Sequence, residues 1–234
     1  MIKFFRKIRQ QSLTENKFSK YLIYAIGEII LVVIGILIAL NINNRNDEIS
    51  KRQDEQNFYS NTKQQLLDDA SNIKSQIEYN SRYTKQFKYA IELIEINDRA
   101  KKDSLGKIAV NLTNYSDFDR QGNIYETMVN SGDIKLLKNN EIIERLRQLE
   151  ETYIYANRME TIHFDVVMTL VPEVMQSIRL YSNQVENENY LFGFKFQNLF
   201  VISLRIMDEK DDVYNRALDE IASIIGLIDN EKIK

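Results

Sequence analysis

One stretch of the chain is apolar on every face. Tyr21–Leu40 reads YLIYAIGEIILVVIGILIAL, broken only by Glu28. At 1.5 Å per residue it spans about 30 Å, the thickness of a bilayer's hydrocarbon core. Beyond residue 42 the pattern changes from continuous to striped. Tyr59, Leu66, Ile73, Asn80, Phe87 and Ile94 recur every seven positions, with Ile77, Tyr83 and Ile91 filling in, and neither Gly nor Pro intervenes from Asn43 to Asp98. That spacing predicts one long helix with a single buried stripe. Asn80 sits on the stripe, where it either sets register or lies near the surface.

The rest of the chain is also helix-patterned. Asn97-Asp98 ends the first helix, and Asp103 is placed to cap a short one. NIYETMVNS forms another, which Gly132 stops in the left-handed conformation. Asn139 or Asn140 opens the clearest helix, in which Ile142, Leu146, Leu149, Tyr153, Ala156, Glu160, His163, Val167, Leu170, Val174, Ser177 and Tyr181 keep 4-3 spacing. Pro172 is expected to kink it. The segment 182–193 reads as a loop, and residues 195–229 as a last helical region with a break at MDEKDD, a solvated acidic run. The expected fold class is all-α: an N-terminal transmembrane helix continuing into an elongated antiparallel helical bundle. The expected domains are a basic amphipathic segment at 1–20, the span at 21–42 and the bundle at 43–234.

Charge orients this arrangement. The chain carries net −3, but residues 1–20 carry net +5, leaving −8 for the remainder. A mildly acidic body excludes nucleic acid as the expected partner. A basic head beside an apolar run fits a lipid surface, with Lys3, Arg6, Lys7 and Arg9 as headgroup-binding residues. The positive-inside rule then places the N-terminus in the cytoplasm and the body in the periplasm of a bacterial inner membrane. The 20-residue core is too long for a cleaved signal peptide.

Within the span, Ala25, Glu28, Val32, Gly35 and Ala39 fall on one helix face. Gly35-x-x-x-Ala39 is a small-xxx-small pair that lets helices approach closely. A carboxyl group in hydrocarbon costs roughly 2.5–3.5 kcal/mol on insertion scales, a cost relieved by a proton, a hydrogen bond across an interface or a partner protein. This face is therefore the expected transmembrane interface, toward a second copy or another membrane protein.

Two stretches carry a resemblance. MIKFFRKIRQ with ENKFSKYLIYAIGEIILVVIGILIALNINN, and IYETMVNSGDIKLLKNNEIIERL at 124–146, resemble a family of uncharacterised single-pass inner-membrane proteins of flavobacteria and their relatives. Arg45 stands where that family usually has Trp. The resemblance implies a periplasmic domain and brings no activity.

Candidate chemistry is sparse. Glu160-x-x-His163 matches half of a di-iron motif, but His163 is the only His, so one bundle lacks the second half. The competing reading is a core His hydrogen-bonded nearby, with Glu160 itself as a candidate partner. There is no Cys, nucleophile triad or phosphate-binding loop. The expectation is a non-enzymatic interaction or scaffold module without cofactor, part of a larger membrane assembly. The alternatives are a periplasmic sensor signalling through a partner, or a proton- or ion-handling subunit using Glu28.

Overall fold

The span and the striped helix are one element. In the computed structural model, which describes residues 6, 18–118, 120 and 122–233, helix α1 runs unbroken from Phe18 to Glu95. It closes as a Schellman turn: Asn97 takes the left-handed conformation at φ 53°, while Asp98 N–H bonds Leu93 O and Asn97 N–H bonds Ile94 O. The chain divides into two compact units, Met1–Glu55 and Gln56–Lys234, and α1 contributes to both. In the first unit, α1 is long and apolar enough to cross a membrane, and none of its apolar window is buried.

The second unit is a bundle of long helices. The part of α1 after Gln56 packs with α4 (Asn140–Met175) and α6 (Phe194–Ile233). Lys63 meets Asp229, Asn80 meets Asp211 and Phe87 meets Phe200, so α6 runs antiparallel to α1. Asp69 meets Tyr153 near one end and Phe87 shares a cluster with Leu170 near the other, so α4 runs parallel to α1. The return leg between them is irregular. It holds α2 (Lys102–Val110), α3 (Ile124–Ser131) and non-helical backbone at 114–118.

The seven-residue stripe of α1 is buried throughout, with Tyr59, Leu66, Ile73, Asn80 and Phe87 at most 1% exposed. Asn80 is thus no surface residue; its Nδ2 donates to Asp211 at 2.7 Å. Asn139 caps α4 by accepting from Glu141 N at 2.9 Å, and Gly132 ends α3 at φ 82°.

Four expectations need correction. Asp103 does not cap α2; the helix is entered through a 3-10 turn at Arg99–Lys101, which leaves Asp103 in the first turn. The seam of α4 stops at Val174, because the helix, with Pro172 inside it, ends at Met175 and the chain passes into a short strand at Ile178–Arg179. Ser177 is buried beyond it, and Tyr181 is wholly exposed. The supposed loop 182–193 is ordered: β1 (Ile178–Arg179) pairs antiparallel with β2 (Gln184–Val185), and α5 (Glu188–Leu191) follows, capped by Asn187. MDEKDD breaks nothing, because Met207, Lys210, Val213 and Tyr214 stay inward and keep α6 continuous through the charges.

Adjacent leucines on α1 test this packing. Leu66 is fully buried and Leu67 is 45% exposed. Leu66→Ala should cost roughly 2–5 kcal/mol in denaturant unfolding of the detergent-solubilised protein, and Leu67→Ala less than about 0.5 kcal/mol.

Candidate functional site

The apolar core of the bundle comes in two pieces. One gathers Leu66, Ile73, Leu146, Tyr153 and Ile221; the other gathers Phe87, Leu105, Leu170, Phe200 and Met207. Buried polar side chains from all three long helices lie between them in sequence: Asn80 of α1, Glu160 and His163 of α4, and Lys210 of α6. These four are at most 3% exposed.

The cause of this polar layer is the return leg. Backbone at 114–118 is not helical; the Asn114 N–H is paired locally with Asn111 O at 3.1 Å, but beyond it the segment has no ladder of its own, and burying a peptide group unpaired would cost on the order of 1–3 kcal/mol. The long helices supply the partners. Glu160 Oε1 accepts from Phe118 N at 2.7 Å, and Lys210 Nζ donates to Ser116 O at 2.7 Å. Further along the leg, Ser116 Oγ donates to Gln76 at 2.7 Å, and Arg120 makes a two-pronged bridge to Glu150 at 2.7 and 3.0 Å. Arg120 also lies over the ring of Tyr153, whose hydroxyl donates to Asp69 at 2.9 Å.

The electrostatics follow from burial. Glu160 is pushed up from the usual carboxylate range by desolvation, against the hydrogen bonds from Tyr214 (2.5 Å) and Phe118 and the charge of Lys210. Lys210 is pushed down by desolvation, against the charges of Glu160, Asp117 and Asp211. His163 is lowered to about 4 by burial and then by Lys210, so it is neutral near pH 7 and its Nδ1 accepts from Lys210 Nζ at 3.2 Å. Tyr115 rests against His163, with ring centroids 5.5 Å apart. His163 is therefore a hydrogen-bonded core residue, but its partner is Lys210, while Glu160 turns to Phe118 and Tyr214. Among the described residues no group of three or more His, Cys, Asp or Glu is arranged to hold a metal ion.

Residues 28–188 match the model of DUF6090, a family of unknown function. The chain belongs to the DUF6090 family. The matched range takes in 124–146, one of the two stretches that carry the resemblance, together with Asn80, Glu160 and His163; Lys210 and Tyr214 lie beyond it. No curated protein and no solved structure matches.

In this DUF6090 chain the expected interface residues of the span lie on the uncovered part of α1. Glu28, Val32, Gly35 and Ala39 are exposed, and Ala25 is half-covered. A Cβ built on Gly35 meets nothing within 4 Å, so the chain's own packing gives no reason for glycine there. Arg6 is exposed; Lys3, Lys7 and Arg9 lie outside the described residues. Sequence reasoning missed Lys210 and Tyr214. A signal was present, since Met207, Lys210, Tyr214, Ala217 and Ile221 keep 3-4 spacing straight through the acidic run.

Two outcomes are expected from the polar layer. Lys210→Ala leaves Ser116 O and Glu160 uncompensated and should cost roughly 3–5 kcal/mol in denaturant unfolding, a loss that the double variant Lys210→Met, Glu160→Gln should reduce. The second concerns pH. A histidine whose pKa is lower in the folded state stabilises the fold above its unfolded value of 6.5, and that contribution is lost as pH falls toward 4. Raised Glu160 acts in the opposite sense, but it is common to wild type and His163→Gln and cancels in the comparison. The stability of wild type relative to His163→Gln should therefore drop by about 2 kcal/mol between about pH 8 and about pH 5.

Proposed function

We propose that the protein is a membrane-anchored, non-enzymatic interaction module of a bacterial inner membrane, with its N-terminus in the cytoplasm and its helical bundle in the periplasm. One observation carries this reading. The apolar window of α1 has a mean hydropathy of 2.7 and none of it is buried. Such a surface requires lipid or another protein to cover it, because fully burying each large apolar side chain is worth about 1.5–3 kcal/mol. The basic excess of residues 1–20 supports the orientation. The polar layer of the bundle supports a structural role for its ionisable groups, since Glu160, His163 and Lys210 are occupied with one another's neighbours and with backbone.

The span supplies the lateral contact. Glu28, Gly35 and Ala39 pair with the same face of a second copy or of a partner's helix, so that the carboxyl group is removed from lipid and the small residues let the backbones approach. The protein then serves as a subunit of a larger membrane assembly rather than as a catalyst.

Reporter fusions and extraction test this. The protein should resist carbonate extraction and leave the membrane only with detergent. A reporter after Lys234 should act as periplasmic and one before Met1 as cytoplasmic; the reverse pattern overturns the reading. In a genetic assay of transmembrane association, Glu28→Leu and Gly35→Leu should each weaken self-association by roughly 0.5–2 kcal/mol, while Glu28→Gln should retain it. Association intact in both Leu variants removes the interface. Loss of function in Glu28→Gln with association intact would instead favour the proton-handling role.

A further inference from the structure

A groove of about 360 Å³ lies between α1 and α6, within the size range of small-ligand sites. Its charges are sorted by sign along its length. The contacts of Phe87 with Phe200 and of Asn80 with Asp211 fix the heights of the two antiparallel helices. Toward the Phe87 end the groove is lined by Lys88 and Arg205, and toward the Asn80 end by Asp208 and Asp211. Between them Val201 and Leu204 give it an apolar wall on α6, and Ser81 and Thr84 bring hydroxyls from α1.

These charges do not satisfy one another. Elsewhere the long helices pair opposite charges one turn apart, as Arg147 does with Glu144 and Arg145 with Glu141. Arg205 and Asp208 have the spacing of Arg147 and Glu144, yet among the described residues neither Arg205 nor Lys88 forms an ion pair. Asp211 is held rather than neutralised: its Oδ1 accepts from the buried Asn80 at 2.7 Å. Its neighbour Lys210 points away, with Nζ on Ser116 O and His163 Nδ1. Burial raises Asp211 above the usual aspartate range, against the hydrogen bond from Asn80 and the charge of Lys210, and Asp208 and Asp212 add to the rise. A further cation at this end is therefore favourable.

Two cations at one end and two carboxylates at the other match a ligand that carries the opposite charges at its own ends. Their separation sets its length. Asp211 stands six residues from Arg205 and level with Asn80, itself eight residues from Lys88, so the charged ends lie about 9–12 Å apart at 1.5 Å per residue. A single amino acid is too short to reach both, whereas an extended tripeptide spans about 10 Å.

We propose that this groove binds a short peptide with free termini, about three residues long, its carboxylate on Lys88 and Arg205 and its ammonium on Asp208 and Asp211. An apolar side chain in the middle lies against Val201 and Leu204. Arg205 takes the carboxylate with its guanidinium fork, and Lys88 adds a point charge. The groove lies wholly in the second unit, so binding does not depend on the anchor.

Calorimetric titration of the detergent-solubilised full chain with the peptide Ala-Leu-Ala tests this. The free tripeptide should bind saturably, and N-acetylation or C-terminal amidation should each weaken it about five-fold or more. Arg205→Ala and Asp208→Asn, both at exposed positions, should weaken the free peptide to a similar degree, while Glu209→Gln, exposed on α6 outside the groove, should leave it unchanged. In the double variant Lys88→Ala, Arg205→Ala the amidated peptide should bind as well as the free one, because the groups that read the carboxylate are gone. No saturable binding up to about 10 mM overturns the proposal. So does equal affinity for the doubly capped peptide, which marks a site that ignores the termini, and so does unchanged affinity in both Arg205→Ala and Asp208→Asn, which places binding elsewhere.

Discussion

The bundle depends on one constraint: a backbone segment that forms no helix packs against the long helices and ends at the buried Phe118. At 114–118 the return leg runs against α4 and α6, and side chains of those helices pair its Phe118 N–H and Ser116 O. Lys210 and Glu160 do this two residues apart on the leg, one taking Ser116 O and the other Phe118 N. Each is a charged group placed at a core position, where neither would be tolerated without the backbone and the other's charge. His163, neutral and facing Lys210, completes the donor's coordination at 3.2 Å.

This layer specifies more than it stabilises. An all-apolar core with repeats of seven would let α1, α4 and α6 slide by a turn at modest cost, because apolar contacts are not directional. Asn80 paired with Asp211, and Tyr214 paired with Glu160, tolerate no such shift. Apolar clusters on either side then supply the bulk of the burial. The same division explains why α6 stays helical through MDEKDD: Lys210 points into the layer while Asp208, Glu209 and Asp212 stay in solvent.

Periodicity made the long helices legible. The stripe from Tyr59 to Ile94 and the seam from Ile142 to Val174 are buried as their spacing demands. The apolar run of α1 was legible from length alone, and no fold is needed to see it. What spacing did not reveal is what depends on partners distant in sequence. Nothing local at Ser116 or Phe118 announces that Lys210, 94 residues on, and Glu160, 42 residues on, will hold them. The hairpin at 178–185 was equally hidden, since its strands are two residues each and its turn rests on Asn183 at φ 58°. Charge density misled at residues 207–212, where composition suggested a break and the inward spacing of Met207, Lys210 and Tyr214 prevailed.

Hydrogen exchange of the peptide covering residues 114–118 tests the central claim most directly. If Glu160 and Lys210 hold the return leg, this peptide is protected in the wild-type protein, although it forms no helix. In Glu160→Ala its protection falls by at least ten-fold, while peptides from the outer turns of α4 and α6 exchange as before. Equal protection in wild type and variant, or fast exchange in the wild type itself, would contradict the account.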